Sequence, residues 1–240
     1  RMQCLPPCNP PCNGKTWIMM KERNRNGGEK TSYEKNNSFK GNNGLRTSFA
    51  YKYLPENFDL YERIDLTKDR GTQKMMLIWT VVIVACMIIP MLFFHPISGA
   101  FELPAGEFFF SLAASIVAMT VYVLLHEGVH GIFIKIFTGE NPSFGMELKK
   151  GVVYAGSRWY FKKIPYIVIA LAPLVVWTTV IGLLLADINE KYFWFLYLVQ
   201  IFNVTGAAGD LYVVCRTAMM PSGILIYDSG AEMNFYRNKA

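Results

Sequence analysis

Histidine is scarce in this chain, three residues in 240, and charge is scarce along four long stretches of it. The missing charge excludes an ordinary soluble domain. Hydrophobic residues make up 52% of the chain and aromatics 15%, and the excess gathers in runs long enough to cross the hydrocarbon core of a bilayer as helices. Met75 to Phe94 carries no charge, with Pro90 near its far end as a kink site. Further runs cover 108–137, 164–186 and 192–214, the last apolar except for Gln200, Asn203, Thr205 and Asp210. A long polar segment precedes the first run, which excludes a cleaved signal peptide there. The expected fold class is therefore an all-α integral membrane domain over residues 53–240, with about four transmembrane helices. Residues 1–52 are rich in Asn, Lys, Gly, Pro and Ser and lack a hydrophobic period, so they read as a disordered N-terminal extension. From Tyr53 to Lys74 charged residues alternate with Leu, Phe, Tyr and Ile, as in an amphipathic or extended segment on the membrane surface.

Cysteine is also sparse. Cys4, Cys8 and Cys12 stand four apart in a Pro-rich opening, which is not the paired spacing of a zinc knuckle. Cys86 and Cys215 fit as small apolar fillers of helices. The net charge of +6 requires no nucleic acid as partner. Of the 24 Lys and Arg, fourteen precede the first run, six lie between Lys135 and Lys163 and three follow the fourth run. The connections His95–Glu107 and Asp187–Lys191 carry only Lys191. By the positive-inside rule both termini and the central loop are expected on the cytoplasmic face.

Two of the three histidines fall in His126-Glu127-Gly128-Val129-His130. With three His and twelve Glu, shuffling the chain would give this spacing about once in a thousand trials. On a helix, histidines four apart share a face and can reach one tetrahedral Zn2+ ion. Glu127 lies beside them, placed to act as general base toward a water held by the ion. The competing reading is two imidazoles snorkelling at the membrane end of a helix, although an uncompensated ionisable cluster in an apolar helix is costly.

A catalytic zinc takes three protein ligands and keeps one position for water. His95, the remaining histidine, belongs at the opposite end of the first span. Asp210 is the acidic residue in the other spans, and in hydrocarbon it needs a partner. Depth agrees, since His130 and Asp210 each precede the cytoplasmic end of their helix by about six or seven residues, roughly 10 Å at 1.5 Å per residue. Gly206, Ala207, Ala208 and Gly209, with Gly128 and Gly131, would let the two helices approach. Asn203, seven residues before Asp210, either donates to a substrate carbonyl, orients Asp210 from behind, or makes only an interhelical hydrogen bond.

Phe144–Leu148 and Val152–Ala155 flank a Gly-containing turn and read as a small cytoplasmic β-hairpin between helices 2 and 3 of the four spans. Its edge could hold a peptide as an added strand, or it could be an ordinary surface hairpin.

These features together resemble a bacterial family of membrane zincin peptidases, a domain of unknown function related to site-2-type intramembrane metalloproteases. The resemblance rests on HEGVHGIFIKIF at 126–137, PSFGMEL at 142–148, IALAPLVV at 169–176 and GAAGDLYVV at 206–214, and it covers about residues 53 to 235. It implies that His126, His130 and Asp210 bind zinc, that Glu127 is the catalytic base, and that the tail Pro221–Gly230 belongs to the domain. One departure is visible: site-2 proteases carry their aspartate in Leu-Asp-Gly, whereas Asp210 follows Gly209 and precedes Leu211. Asp228 receives no role. The expected function is a zinc-dependent peptidase of the bacterial plasma membrane, cleaving a peptide or membrane-protein substrate near the cytoplasmic face. The alternative is a non-catalytic metal-binding sensor or regulator. A metal transporter is disfavoured, because acidic ligands for a relay of sites across the bilayer are lacking.

Overall fold

The computed structural model describes residues 17–23, 29–35, 47–65, 69–147, 152–230 and 232–239. The chain divides into two compact units, Arg1–Leu45 and Arg46–Ala240. In the first, β1 (Trp17–Arg23) pairs antiparallel with β2 (Glu29–Lys35). Residues 47–52 of the segment expected to be a disordered extension are also described, and they belong to the second unit, with Ala50 buried; the remainder, Cys4, Cys8 and Cys12 included, lies outside the described residues.

The second unit holds four helical stretches long and apolar enough to cross a membrane: Arg70–Phe94, Ala105–Thr138, Lys163–Asp187 and Glu190–Met219. The first is α1 (Arg70–Phe94), started by Asp69, whose carboxylate accepts from the N–H groups of Gly71 and Thr72. Those donors, with the Thr72 hydroxyl contributing most, hold the Asp69 carboxyl below the usual carboxylate range. A four-residue helix, α2 (Ser98–Phe101), follows. The second stretch is α3 (Ala105–Thr138), 34 residues ended by Gly139 at φ +76, whose N–H donates to the Lys135 carbonyl. The third is α4 (Lys163–Asp187), with Pro173 inside it. The fourth does not run unbroken, as 192–214 was expected to. It is α5 (Glu190–Gly206) and α6 (Ala208–Met219), parted at Ala207. Gly206 and Gly209 flank the break, and glycine disfavours helix continuation at each. Leu77, Val81, Phe93, Phe110 and Leu183, on the helix surfaces, are exposed.

The all-α expectation needs correction. A five-stranded antiparallel sheet joins β3 (Ala50–Tyr51), β7 (Tyr160–Lys162), β8 (Leu225–Asp228), β9 (Glu232–Asn238) and β4 (Phe58–Asp65), in that spatial order. The expected hairpin between helices 2 and 3 does not describe how the β structure is organised. A separate two-stranded pair, β5 (Ser143–Glu147) with β6 (Val152–Gly156), lies between the second and third of the four apolar stretches, outside that larger sheet. Within the 53–74 segment read as amphipathic or extended, Phe58–Asp65 is strand β4; its alternation of apolar and charged residues breaks at Tyr61–Glu62, where the register with β9 shifts.

One face of the sheet makes the main core. Phe161, Ile226, Met233 and Phe235 are almost fully buried and pack with Ile134 of α3, Tyr166 and Ile169 of α4 and Val213 of α6. This joins the sheet to the same ends of the three helices. Phe235→Ala leaves a void at the middle of that core and is expected to cost about 3–5 kcal/mol. Phe235→Leu should cost much less, both read as shifts in the unfolding midpoint of the detergent-solubilised protein.

Candidate metal centre

Tyr122, His126 and His130 are spaced four apart on α3 and so stand in one stripe of that helix. The break at Ala207 places Asp210 in the first turn of α6, where the helix dipole favours a negative charge. The ligating atoms of His126, His130 and Asp210 all lie within 4.8 Å of one another. His126 Nε2 is 3.0 Å from Asp210 Oδ2, and His130 Nε2 is 3.5 Å from Asp210 Oδ1.

The hydrogen bonds behind the rings fix which nitrogen carries the proton. Asn203 donates through Nδ2 to Thr178 Oγ1 at 2.9 Å and to Gln200 Oε1 at 3.3 Å, which leaves its Oδ1 to accept from the Tyr122 hydroxyl at 2.8 Å. With that proton committed, the Tyr122 oxygen accepts from His126 Nδ1–H at 2.6 Å. His130 Nδ1–H donates to the Ile169 carbonyl at 2.9 Å, which can only accept. In their neutral form both rings therefore present a bare Nε2 to Asp210. Two nitrogen lone pairs and a carboxylate repel one another at these distances unless a cation sits among them. A proton can serve one pair, whereas a metal ion serves all three ligands at once. Two imidazoles and a carboxylate, each imidazole anchored through its other nitrogen, form a donor set that fits zinc.

Glu127 lies at the edge of this group. Its Oε2 accepts from the backbone N–H of Ala155 on β6 at 2.7 Å, and the residue lines the space on both sides of the centre. Two cavities meet there. One of about 150 Å³ extends toward the sheet, past His130, Tyr166 and Asp228. The other, about 260 Å³, extends past His126, Val123 and Phe202. Both are bounded by Glu127, Val153, Gly209 and Asp210.

The structure thus gathers His126, Glu127, His130 and Asp210. Asn203 is wholly buried behind them and acts on His126 through Tyr122. His95 stays away, stacked on Phe193 at 3.7 Å between centroids. The glycines serve differently from expectation. A Cβ on Gly128 would meet nothing within 4 Å, and one on Gly131 would collide with Phe144 and Pro142. Gly131 therefore makes room for the segment leading into β5, not for α6. A Cβ on Gly209 would touch Met76 of α1, and only Gly206 faces α3, at Tyr122. Sequence reasoning missed Tyr122, although its position one turn before His126 on the same stripe was a usable signal. The Ala155 N–H left no signal, since a backbone donor has no letter of its own.

Comparison with known proteins bears on the same residues. The family model described as "Putative zincin peptidase" matches residues 119–225, a stretch that contains His126, Glu127, His130, Asn203 and Asp210. A protein of Pyrococcus woesei, "Uncharacterized 24.7 kDa protein in gap 5'region", is 32% identical over 123 residues, 49% of this chain and 52% of its own. The match therefore spans about half the length of that relative. No solved structure matches the chain.

If the lone pairs converge on a metal, zinc content of the purified protein should be close to one equivalent and should be lost in His130→Ala and Asp210→Asn. Tyr122→Phe removes only the support behind His126 and is expected to weaken zinc affinity about 10- to 100-fold, measured by competition with a chelating dye.

Proposed function

We propose that the protein is a multi-pass membrane peptidase of the zinc-dependent class, with His126, His130 and Asp210 as ligands and Glu127 as general base. The observation that carries this reading is the convergence of two bare imidazole nitrogens and a carboxylate beside a second carboxylate, at the junction of two cavities. Zinc bound there would supply Lewis acidity, polarising a peptide carbonyl and acidifying water. Glu127 takes the proton of the attacking water through Oε1 and passes it to the leaving amine, while the Ala155 N–H holds Oε2 and keeps the carboxylate from rotating away. A peptide lying through both cavities runs past Val153 on β6, whose backbone can pair with an extended segment. The substrate is a peptide or membrane protein and the lipid bilayer is the other partner; nucleic acid has no place in this reading. The distribution of Lys and Arg supports an orientation with both termini on the cytoplasmic face; the bacterial plasma membrane is the setting that the family resemblance implies.

Glu127→Gln keeps the shape and the ligands but removes the base. It is expected to retain zinc while cleavage of a fluorogenic peptide library falls at least about a hundredfold. Undiminished cleavage would refute the role of Glu127, and stoichiometric zinc with no cleavage by the wild type would favour a sensor or regulator. Topology is checked separately: in a cysteine-free background, a cysteine at Asn189 should react with an impermeant thiol reagent from outside intact cells, and one at Arg158 only after lysis.

A further inference from the structure

Asp228, at the end of β8, has no part in the centre described above, yet its side chain borders the 150 Å³ cavity together with Glu127, His130 and Asp210. It is firmly held. The Tyr166 hydroxyl donates to Oδ2, the Gly230 N–H donates to Oδ1 at 2.7 Å, and the backbone carbonyl accepts from Ser157 N–H at 3.3 Å. Gly230 takes φ +94 to make this turn, and a Cβ there would run into the Tyr154 ring. All the donors to the carboxylate are neutral, and among the described residues no lysine or arginine pairs with it or borders the cavity. An ionised carboxylate has about four acceptor positions, and only two are used. Burial pushes the Asp228 carboxyl up from its ordinary range, with the Tyr166 and Gly230 donors opposing that rise.

The cavity's other walls are of a different kind. Ile134, Phe161, Ile169, Val213 and Met233 make an apolar sleeve. A void of this size accepts a group about as large as benzene, hence one long side chain and not a helix. With Glu127, Asp210 and Asp228 ionised the wall carries three negative charges, of which a divalent cation at the histidines offsets two, and a cationic side chain in the cavity would favour the ionised form of Asp228. An apolar sleeve with an acid on its wall suits a side chain whose stem is aliphatic and whose tip is cationic.

We propose that the cavity beside the metal centre is a side-chain subsite in which Asp228 receives the positive charge of a lysine or arginine of the bound peptide. The proposal rests on the peptidase reading, and its test separates the two. Binding is measured by calorimetry on the full chain carrying Glu127→Gln, with two blocked pentapeptides that differ only in lysine or norleucine at the central position. The lysine peptide should bind at least about tenfold more tightly. Adding Asp228→Asn, whose Oδ1 still accepts from the Gly230 N–H and whose Nδ2 can donate to the Tyr166 oxygen, should bring the two within about twofold at unchanged zinc content, and Asp228→Glu should keep the preference. Equal binding of the two peptides, or a preference that survives Asp228→Asn, overturns the subsite. Cleavage of both peptides by the wild type at equal rates also overturns it and leaves the peptidase standing. Lysine-selective binding that depends on Asp228, with no cleavage by the wild type, sustains the subsite as a cation site and overturns the peptidase.

Discussion

The close approach of His126, His130 and Asp210 is the constraint around which the second unit is built. Two imidazoles and a carboxylate have been brought within 4.8 Å of one another, in helices apolar enough for a bilayer, where a shared cation, proton or metal, makes that approach favourable. Every contact behind them serves to keep them there. Tyr122 and Asn203 hold one ring, the Ile169 carbonyl holds the other, and the break at Ala207 delivers the aspartate at the start of a helix. Such an arrangement is paid for by packing elsewhere and becomes favourable when a cation arrives. The folded scaffold is therefore preorganised for an ion.

The legibility of this centre in the sequence followed from its chemistry. Histidines are so few that their four-residue spacing stood out, and a lone aspartate among apolar helices demanded a partner, so His126, His130 and Asp210 could be grouped from letters alone. Asn203 could be flagged but not placed, because its address depends on Tyr122, a residue that looks like any other aromatic in a membrane helix. The glycine argument failed in detail: small residues reveal that something comes close, but not what, and Gly131 turned out to face Phe144. The sheet was the larger omission. Its strands are two to eight residues long and are drawn from five separate segments, so the pairing partners of Phe58–Asp65 and Glu232–Asn238 lie some 170 residues apart in the chain. Periodicity is a local signal and carries no information about such pairing.

The sheet and the centre are joined through a few shared side chains. Ile134 precedes the end of α3 by one turn, Tyr166 and Ile169 open α4, and Val213 lies one turn beyond Asp210. Each packs on Phe161, Met233 or their neighbours and also borders the cavity beside the histidines. A change in the sheet is thus a change in the wall of the cavity, and Ile169 carries it further, because its carbonyl holds His130.

The open edges of that sheet also determine where water begins. β3 and β4, at its two sides, leave backbone groups that hydrocarbon cannot satisfy, so the sheet must stand outside the acyl layer. Since α3 is 34 residues long, about 51 Å at 1.5 Å per residue, it exceeds a hydrocarbon core of about 30 Å by some 20 Å. If the excess lies at the end packed on the sheet, His130, eight residues from Thr138, falls near the waterline and not at mid-membrane. The proposed hydrolysis would consume water, and at that level the co-reactant would come from the headgroup region itself, with no need for a conduit drilled through lipid.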